Sequence, residues 1–133
     1  MHDMTRQGAT VQVFWYWTPV VLYAGAIYYL SSQSHPEEHL PSFLLEDVSD
    51  KILHAVAYGI LAALCCRAFS WTTAPAVARQ AVVLAIVTAS VFGITDELHQ
   101  AFVPFREASW QDWLADTIGA AVGAISWRLI RPE

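Results

Sequence analysis

Four apolar stretches, each close to the length of a membrane-spanning helix, dominate this chain of 133 residues. A bilayer core needs about 20 residues of α-helix, and the candidates lie at about residues 11–30, 51–69, 78–102 and 110–130. Backbone N–H and C=O groups must be paired in lipid, and a helix pairs them within one segment. We therefore predict an all-α protein, an integral membrane four-helix bundle, forming a single domain over residues 1–133.

The composition agrees with this prediction. Hydrophobic residues make up 56% of the chain and charged residues only 14%, whereas soluble domains carry about 25% charged residues. The net charge of −5 argues against nucleic acid as a partner, because nucleic-acid binding needs a basic surface. Membrane lipids are the expected surroundings. The first apolar stretch is longer than the roughly 7–15 residues of a signal-peptide core, so we expect it to stay as an anchor.

Basic residues predict how the bundle is oriented. Lys51 and Arg106 would lie on one side of the membrane and five arginines on the other. Those five are Arg6, Arg67, Arg79, Arg128 and Arg131. Because basic residues accumulate on the cytoplasmic side, both termini are expected in the cytoplasm. The loops at residues 31–49 and 103–109 would then face outward.

Polar clusters lie at the outward ends of all four stretches. The last three stretches reach the length of a membrane-spanning helix only if the residues of these clusters are also helical. Ionisable groups beside hydrocarbon are costly and usually serve a function. Four segments that deliver such groups to one depth therefore predict a shared site. The candidate site residues are Ser32, Gln33, Lys51, His54, Tyr58, Asp96, Glu97, His99, Gln100, Arg106, Asp112 and Asp116.

Spacing places several of these side chains on common helix faces. His54 follows Asp50 by four residues and Tyr58 follows His54 by four, so the three share one face. Two aspartates also have a simpler interpretation as helix caps. Asp50 follows Asp47, and Asp112 follows Ser109, each with the spacing of a capping box.

The cluster after residue 95 has the composition of a reactive site. Asp96 forms one stripe with His99 and Gln100, while Glu97 points elsewhere. Carboxylates beside a histidine suit general acid–base catalysis or a divalent cation. The alternative is a helix end that becomes solvated. Apolar residues resume at 101–103, which favours an enclosed polar patch.

Two further charged residues need partners. Arg106 could bridge the acids, or bind a phosphate or carboxylate through its two-pronged guanidinium. Asp116 lies too deep in its helix for capping. Its candidate partners are Lys51, His54, His99, Arg106 and a bound cation.

A small-xxx-small face follows in the same helix. Gly119 and Gly123 are four residues apart, and such a pair lets a second helix approach closely. The pattern predicts close contact with a neighbouring span, and this face is also the candidate surface for an oligomer.

Taken in order, these residues resemble the VanZ-like family of small bacterial membrane proteins. The ordered set is specific although no single piece is, and it covers about residues 30–125. The matching elements are Ser31-Ser32-Gln33, Asp50-Lys51 with His54, Tyr58 and Leu61, Asp96-Glu97-x-His99-Gln100, Pro104-x-Arg106, Asp112, and Gly119 with Gly123. Phe105 departs from the pattern, since relatives often have Gly there, so the outer loop is expected to turn differently. Asp116 departs too, where many relatives are expected to carry Asn, so a metal ligand that must be charged is not expected at that position.

The resemblance implies a role in the cell envelope. The founding member is associated with resistance to teicoplanin, a lipid-tailed glycopeptide that acts outside the cytoplasmic membrane. For this chain the resemblance implies a multi-pass protein of the bacterial cytoplasmic membrane. Its polar pocket would face outward and bind an envelope lipid or a lipid-tailed compound.

Three functions are compatible with the residues. In a binding protein, Lys51 and Arg106 would hold an anionic head group. In a membrane hydrolase or transferase acting on a lipid-linked substrate, a histidine would be the base and an aspartate would orient it or hold a divalent cation. The catalytic candidates are His54, Asp96 and His99. In a structural network, the polar residues would only fix the bundle.

Overall fold

The computed structural model of the protein describes residues 2–35, 38, 41, 50–72 and 74–131. Within these residues every regular element is a helix and no strand is present. The helices are α1 (His2–Ser31), α2 (Asp50–Ser70), α3 (Pro75–Arg79), α4 (Ala81–Gln100) and α5 (Trp110–Ile130). The all-α class predicted from the sequence is confirmed. Most of the predicted loop at residues 31–49 lies outside the described residues.

The helix bounds differ from the predicted stretches in two places. α1 begins at His2, well before the first apolar stretch. The third stretch is divided at Gln80, whose φ of −101° and ψ of 11° leave the helical region. Pro75 opens the short α3, at a position where its missing N–H would have had no helical partner anyway.

The turn between α4 and α5 is unusual at Phe105. This residue has a φ of 63°, and it is the one residue other than glycine with a positive φ in the described part of the chain. Glycine adopts this left-handed conformation without steric cost, whereas a bulky side chain does not. Phe105 thus takes a conformation that glycine would adopt readily, and the expectation that this loop turns differently from those of relatives stays a prediction.

α2 is the central helix, because it packs against α1, α4 and α5. The buried core is built mainly from small side chains, which let helix backbones approach closely. On α4 they recur every fourth residue, and α2 and α5 supply the rest. The small core residues are Ala62, Cys65, Cys66, Ala68, Ala81, Ala85, Ala89, Gly93, Gly119, Ala120 and Ala124. The two cysteines are free thiols within this core.

The backbones of α2 and α5 approach each other closely at two glycines. A Cβ atom added to Gly119 would overlap the backbone of Ala55, and one added to Gly123 would overlap the backbone of Gly59. The face predicted to receive a neighbouring helix thus receives α2 of the same chain. Association of two chains through this face stays a prediction from the sequence.

Large apolar side chains lie on the outside of the helices. On α4 the exposed residues include Val83, Val87 and Val91, and on α5 Ile118 and Val122. Small residues inside and large apolar residues outside is the arrangement expected in lipid, where packing rather than hydrophobicity joins helices. Among the described helices, α2 and α4 are long and apolar enough to cross a membrane, by length and composition.

Candidate functional site

A cavity of about 130 Å³ lies between α1, α2 and α4, near the ends that carry the polar clusters. We call it the polar pocket. Its polar lining is Ser31, Asp50, His54, Tyr58, Asp96, Gln100 and Arg106, and its apolar lining is Ile27, Leu30, Leu53 and Ala57. A cavity of about 150 Å³ can hold a benzene molecule. The polar pocket therefore has room for one small head group and not for a whole lipid.

Helix periodicity brings the lining residues together. Asp50, His54 and Tyr58 project from one face of α2 and all reach the pocket, as their spacing predicts. Asp96 and Gln100, also four residues apart, reach it from α4. These two faces meet because α2 packs directly against α4.

A chain of hydrogen bonds crosses the pocket between three helices. The Tyr58 hydroxyl donates to Asp96 Oδ2 at 3.2 Å. Gln100 Nε2 donates to the same oxygen at 3.4 Å and to Ser31 Oγ at 2.8 Å. All four side chains are buried. Buried hydrogen bonds of this kind fix the positions of α1, α2 and α4 relative to one another.

His54 forms a close pair with Asp116 of α5. Its Nδ1 lies 2.9 Å from Asp116 Oδ1, and Asp116 is fully buried. On the other edge of the ring, Nε2 lies 4.0 Å from Asp50 Oδ2. Among the partners that the sequence offered for Asp116, the structure thus selects His54.

Three buried carboxylate oxygens have no hydrogen-bond partner within the described part of the chain. They are Asp96 Oδ1, Glu97 Oε1 and Asp116 Oδ2. The second Glu97 oxygen, Oε2, accepts from the backbone N–H of Ser109 at 2.7 Å. An unpaired buried acceptor is costly, so these oxygens are suited to accept a proton or to ligate a cation.

Two sets of residues could hold a metal ion. His54, Glu97 and Asp116 each offer a ligand atom, and these atoms lie within 4.8 Å of one another. Asp50, His54 and Asp112 meet the same distance criterion. Imidazole with carboxylate oxygens suits divalent transition metals. His54 belongs to both sets, so a cation at this site would engage His54.

Lys51 and Asp112 lie beside the pocket rather than in it. Lys51 Nζ is 3.4 Å from Asp112 Oδ1, and the lysine side chain is half exposed. Ser109 Oγ accepts from the Asp112 backbone N–H at 3.4 Å, as the capping pattern predicts. Neither charged side chain lines the polar pocket.

His99 is held outside the pocket, between α4 and α1. Its Nε2 lies 2.9 Å from Ser32 Oγ, and its ring stacks on Tyr28 at a centroid distance of 4.4 Å. The Ser32 hydroxyl donates its proton to the Tyr28 carbonyl at 2.7 Å. With the hydroxyl proton directed to that carbonyl, His99 donates from Nε2 to Ser32 Oγ, and in this tautomer Nε2 is not a base for the Ser32 hydroxyl.

Ser31 belongs to the cluster Ser31-Ser32-Gln33 at the end of α1. It lines the pocket, although it was not among the candidate site residues. Gln33 instead donates from Nε2 to the Tyr29 carbonyl at 3.1 Å. The available signal was periodicity, because Ser31 shares a helix face with Ile27, four residues earlier, and Ile27 also lines the pocket.

Comparison with known proteins supports the resemblance seen in the sequence. A family model described as VanZ/LLP1 matches residues 4–131. The comparison with curated proteins found no match, and the comparison with solved structures found none. Because the family match covers nearly the whole chain, this chain belongs to the VanZ/LLP1 family.

Proposed function

We propose that this protein binds the head group of a cell-envelope lipid, or of a lipid-tailed compound, in its polar pocket. In this proposal α1, α2, α4 and α5 form a four-helix bundle across the bacterial cytoplasmic membrane. Both termini lie in the cytoplasm and the pocket faces outward. Family membership, the two helices long enough to span a bilayer and the apolar outer surface support a location in the membrane, and the distribution of basic residues supports the orientation. Binding of lipid-tailed glycopeptides such as teicoplanin would contribute to resistance.

The observation that carries the proposal is the mixed lining of the pocket. Arg106 and buried polar groups line one part, while Ile27, Leu30 and Leu53 line another. An amphiphile presents the same combination of a charged group and an apolar tail. Because the cavity is too small for a whole lipid, the tail would lie between α1 and α2, which supply the apolar wall.

Charge constrains the head group. Among the described residues, Arg106 is the one arginine or lysine that lines the pocket, and it faces a space also lined by Asp50 and Asp96. A phosphate can bind to a guanidinium through two parallel hydrogen bonds. Near these carboxylates an anionic head group needs further positive charge, which a protonated His54 or a divalent cation would supply.

Replacing Arg106 by alanine is expected to lower retention of phosphatidylglycerol at the pocket by about tenfold or more, since a hydrogen bond to a charged group contributes about 1.5–3 kcal/mol. A photoreactive phosphatidylglycerol, with its adducts mapped to residues 27–31 and 50–58, measures this site alone. Lys51→Ala is the matched control, because it removes a cation from the same end but outside the pocket. Undiminished labelling in Arg106→Ala, or an equal loss in both variants, would count against the proposal.

A second candidate function, a hydrolase or transferase acting on a lipid-linked substrate, is favoured by the His54–Asp116 pair. A buried carboxylate that orients a histidine is the arrangement found in many enzymes that use histidine as a base. His54 lines the pocket, whereas His99 does not.

If the protein is an enzyme, His54→Gln should abolish turnover, while His99→Gln should retain most of it. Purified protein would be incubated with labelled envelope lipids, and the products followed by mass spectrometry with and without a chelator. Turnover that survives loss of His54 would exclude this mechanism.

A further inference from the structure

A second cavity, of about 580 Å³, lies where the C-terminal ends of α2 and α5 meet α1. It is lined by Tyr16, Arg67, Ser70, Trp71, Trp127, Arg128 and Arg131. We call it the arginine cavity. Every lining residue belongs to the described part of the chain, and none of them is acidic. Along α2, Arg67 lies about 20 Å from His54 at 1.5 Å per residue, so this cavity is separate from the polar pocket.

Aromatic rings hold two of the guanidinium groups in place. The Arg67 guanidinium carbon lies 4.6 Å from the centre of the Tyr16 ring, which itself stacks on Trp71. The Arg131 guanidinium carbon lies 5.7 Å from the Trp127 ring. A guanidinium over an aromatic face still directs its N–H donors outward in its own plane. Stacking therefore positions these groups while leaving donors for an acceptor.

No carboxylate among the described residues pairs with Arg67 or Arg131. Positive charge at helix C-termini interacts favourably with the helix dipole, and it is also expected on the cytoplasmic side of a membrane. Those effects account for arginines at this end of the molecule. They do not account for three arginines that converge on one concave space with aromatic walls.

Arg79 is an arginine at the same end of the molecule that lies outside the cavity. It is exposed on α3, and its Nε donates to the carbonyl of Pro75 at 3.4 Å. It does not line the arginine cavity. It therefore provides a matched control for removing a positive charge.

We propose that the arginine cavity binds the phosphodiester of an anionic phospholipid head group. The guanidinium fork matches phosphate oxygens through two parallel hydrogen bonds. The volume lies within the roughly 300–1,000 Å³ of typical ligand sites and leaves room for a head group beyond the phosphate. Tryptophans such as Trp71 and Trp127 are common at the depth of lipid head groups. This site would act independently of the ligand in the polar pocket.

The full-length protein would be reconstituted in nanodiscs of phosphatidylcholine with a minor share of photoreactive phosphatidylglycerol or, in a parallel sample, the same share of photoreactive phosphatidylcholine. Adducts would be mapped to Tyr16, Trp71 and Trp127. We expect selective labelling by phosphatidylglycerol that falls about 30-fold in Arg67→Gln/Arg131→Gln, because each basic residue near a membrane surface contributes on the order of 1 kcal/mol. Arg79→Gln should change the labelling by less than about twofold.

A further variant and a soluble probe keep the test decisive. Arg67→Lys/Arg131→Lys retains the charges but lacks the guanidinium fork, so it should fold and label at an intermediate level. Equal labelling by the two lipids, or an equal loss in Arg79→Gln, would overturn the proposal. Inorganic phosphate provides the second test. If it binds the lipid-free protein, and if its addition to the nanodiscs prevents labelling, the ligand would be a soluble phosphate compound and the proposal would be overturned.

Discussion

Replacing Gly119 by alanine should force α2 away from α5 and destabilise the protein by about 2 kcal/mol or more. The new Cβ would overlap the Ala55 carbonyl oxygen, carbonyl carbon and Cα. These are all backbone atoms, so no side-chain rotation relieves the collision. Overpacking usually costs about 1–3 kcal/mol, occasionally more, and alanine returns about 1 kcal/mol of helix propensity. A collision with backbone belongs at the upper end, and unfolding of the purified protein in detergent measures it.

Gly25→Ala is the matched control for this prediction. Gly25 lies on α1, and a Cβ there would meet nothing within 4 Å. Its stability should stay unchanged or rise by up to about 1 kcal/mol. Wild-type stability in Gly119→Ala would show that α2 and α5 do not pack in this way.

Gly119→Ala should also disrupt the polar pocket. Ala55 directly follows His54 on α2, and Gly119 lies three residues after Asp116 on α5. The contact between the two backbones therefore sets the distance between the His54 and Asp116 side chains. Loss of ligand labelling should accompany the loss of stability.

The sequence predicted the helices because apolar length is a local property of the chain. It also predicted that a helix would approach Gly119 and Gly123, but it did not identify which one. That choice depends on the small residues of α2, Ala55 and Gly59, which face the two glycines only in the folded protein. The sequence likewise left several candidate partners for Asp116, because only the packing of α2 against α5 places His54 beside it.

The sequence predicted one helix face for Asp96, His99 and Gln100, and the structure divides this face. Consecutive residues of an α-helix point about 100° apart, so a run of adjacent polar residues cannot all face one cavity. His99 and Gln100 lie on opposite sides of Asp96, and only Gln100 turns into the polar pocket while His99 turns to α1. Ser31 and Ser32 are divided likewise.

Replacing His54 alone by leucine should destabilise the protein by about 3–5 kcal/mol. The variant leaves Asp116 fully buried without a partner for Oδ1, and Oδ2 already has none among the described residues. Removing one member of a buried charged pair costs about that much, whereas replacing both members by apolar residues is often close to neutral. His54→Leu/Asp116→Leu should therefore recover most of the loss, and a double-mutant cycle in detergent measures the coupling.

Lys51→Met is the control for this cycle, because it breaks the pair between the half-exposed Lys51 and the buried Asp112 near the same ends of α2 and α5. The 3.4 Å pair has one partner in solvent, which screens it, and Asp112 keeps a favourable position in the first turn of α5, so the effect should be smaller than that of His54→Leu. The double leucine variant then separates structure from function. If the double leucine variant is about as stable as the wild type but loses lipid labelling at the pocket, His54 and Asp116 are needed for ligand binding rather than for stability. Retained labelling would mean that the pair serves only to join α2 to α5. If the stability losses of the two single variants simply add in the double variant, His54 and Asp116 do not interact, and the structure of the pair would be contradicted.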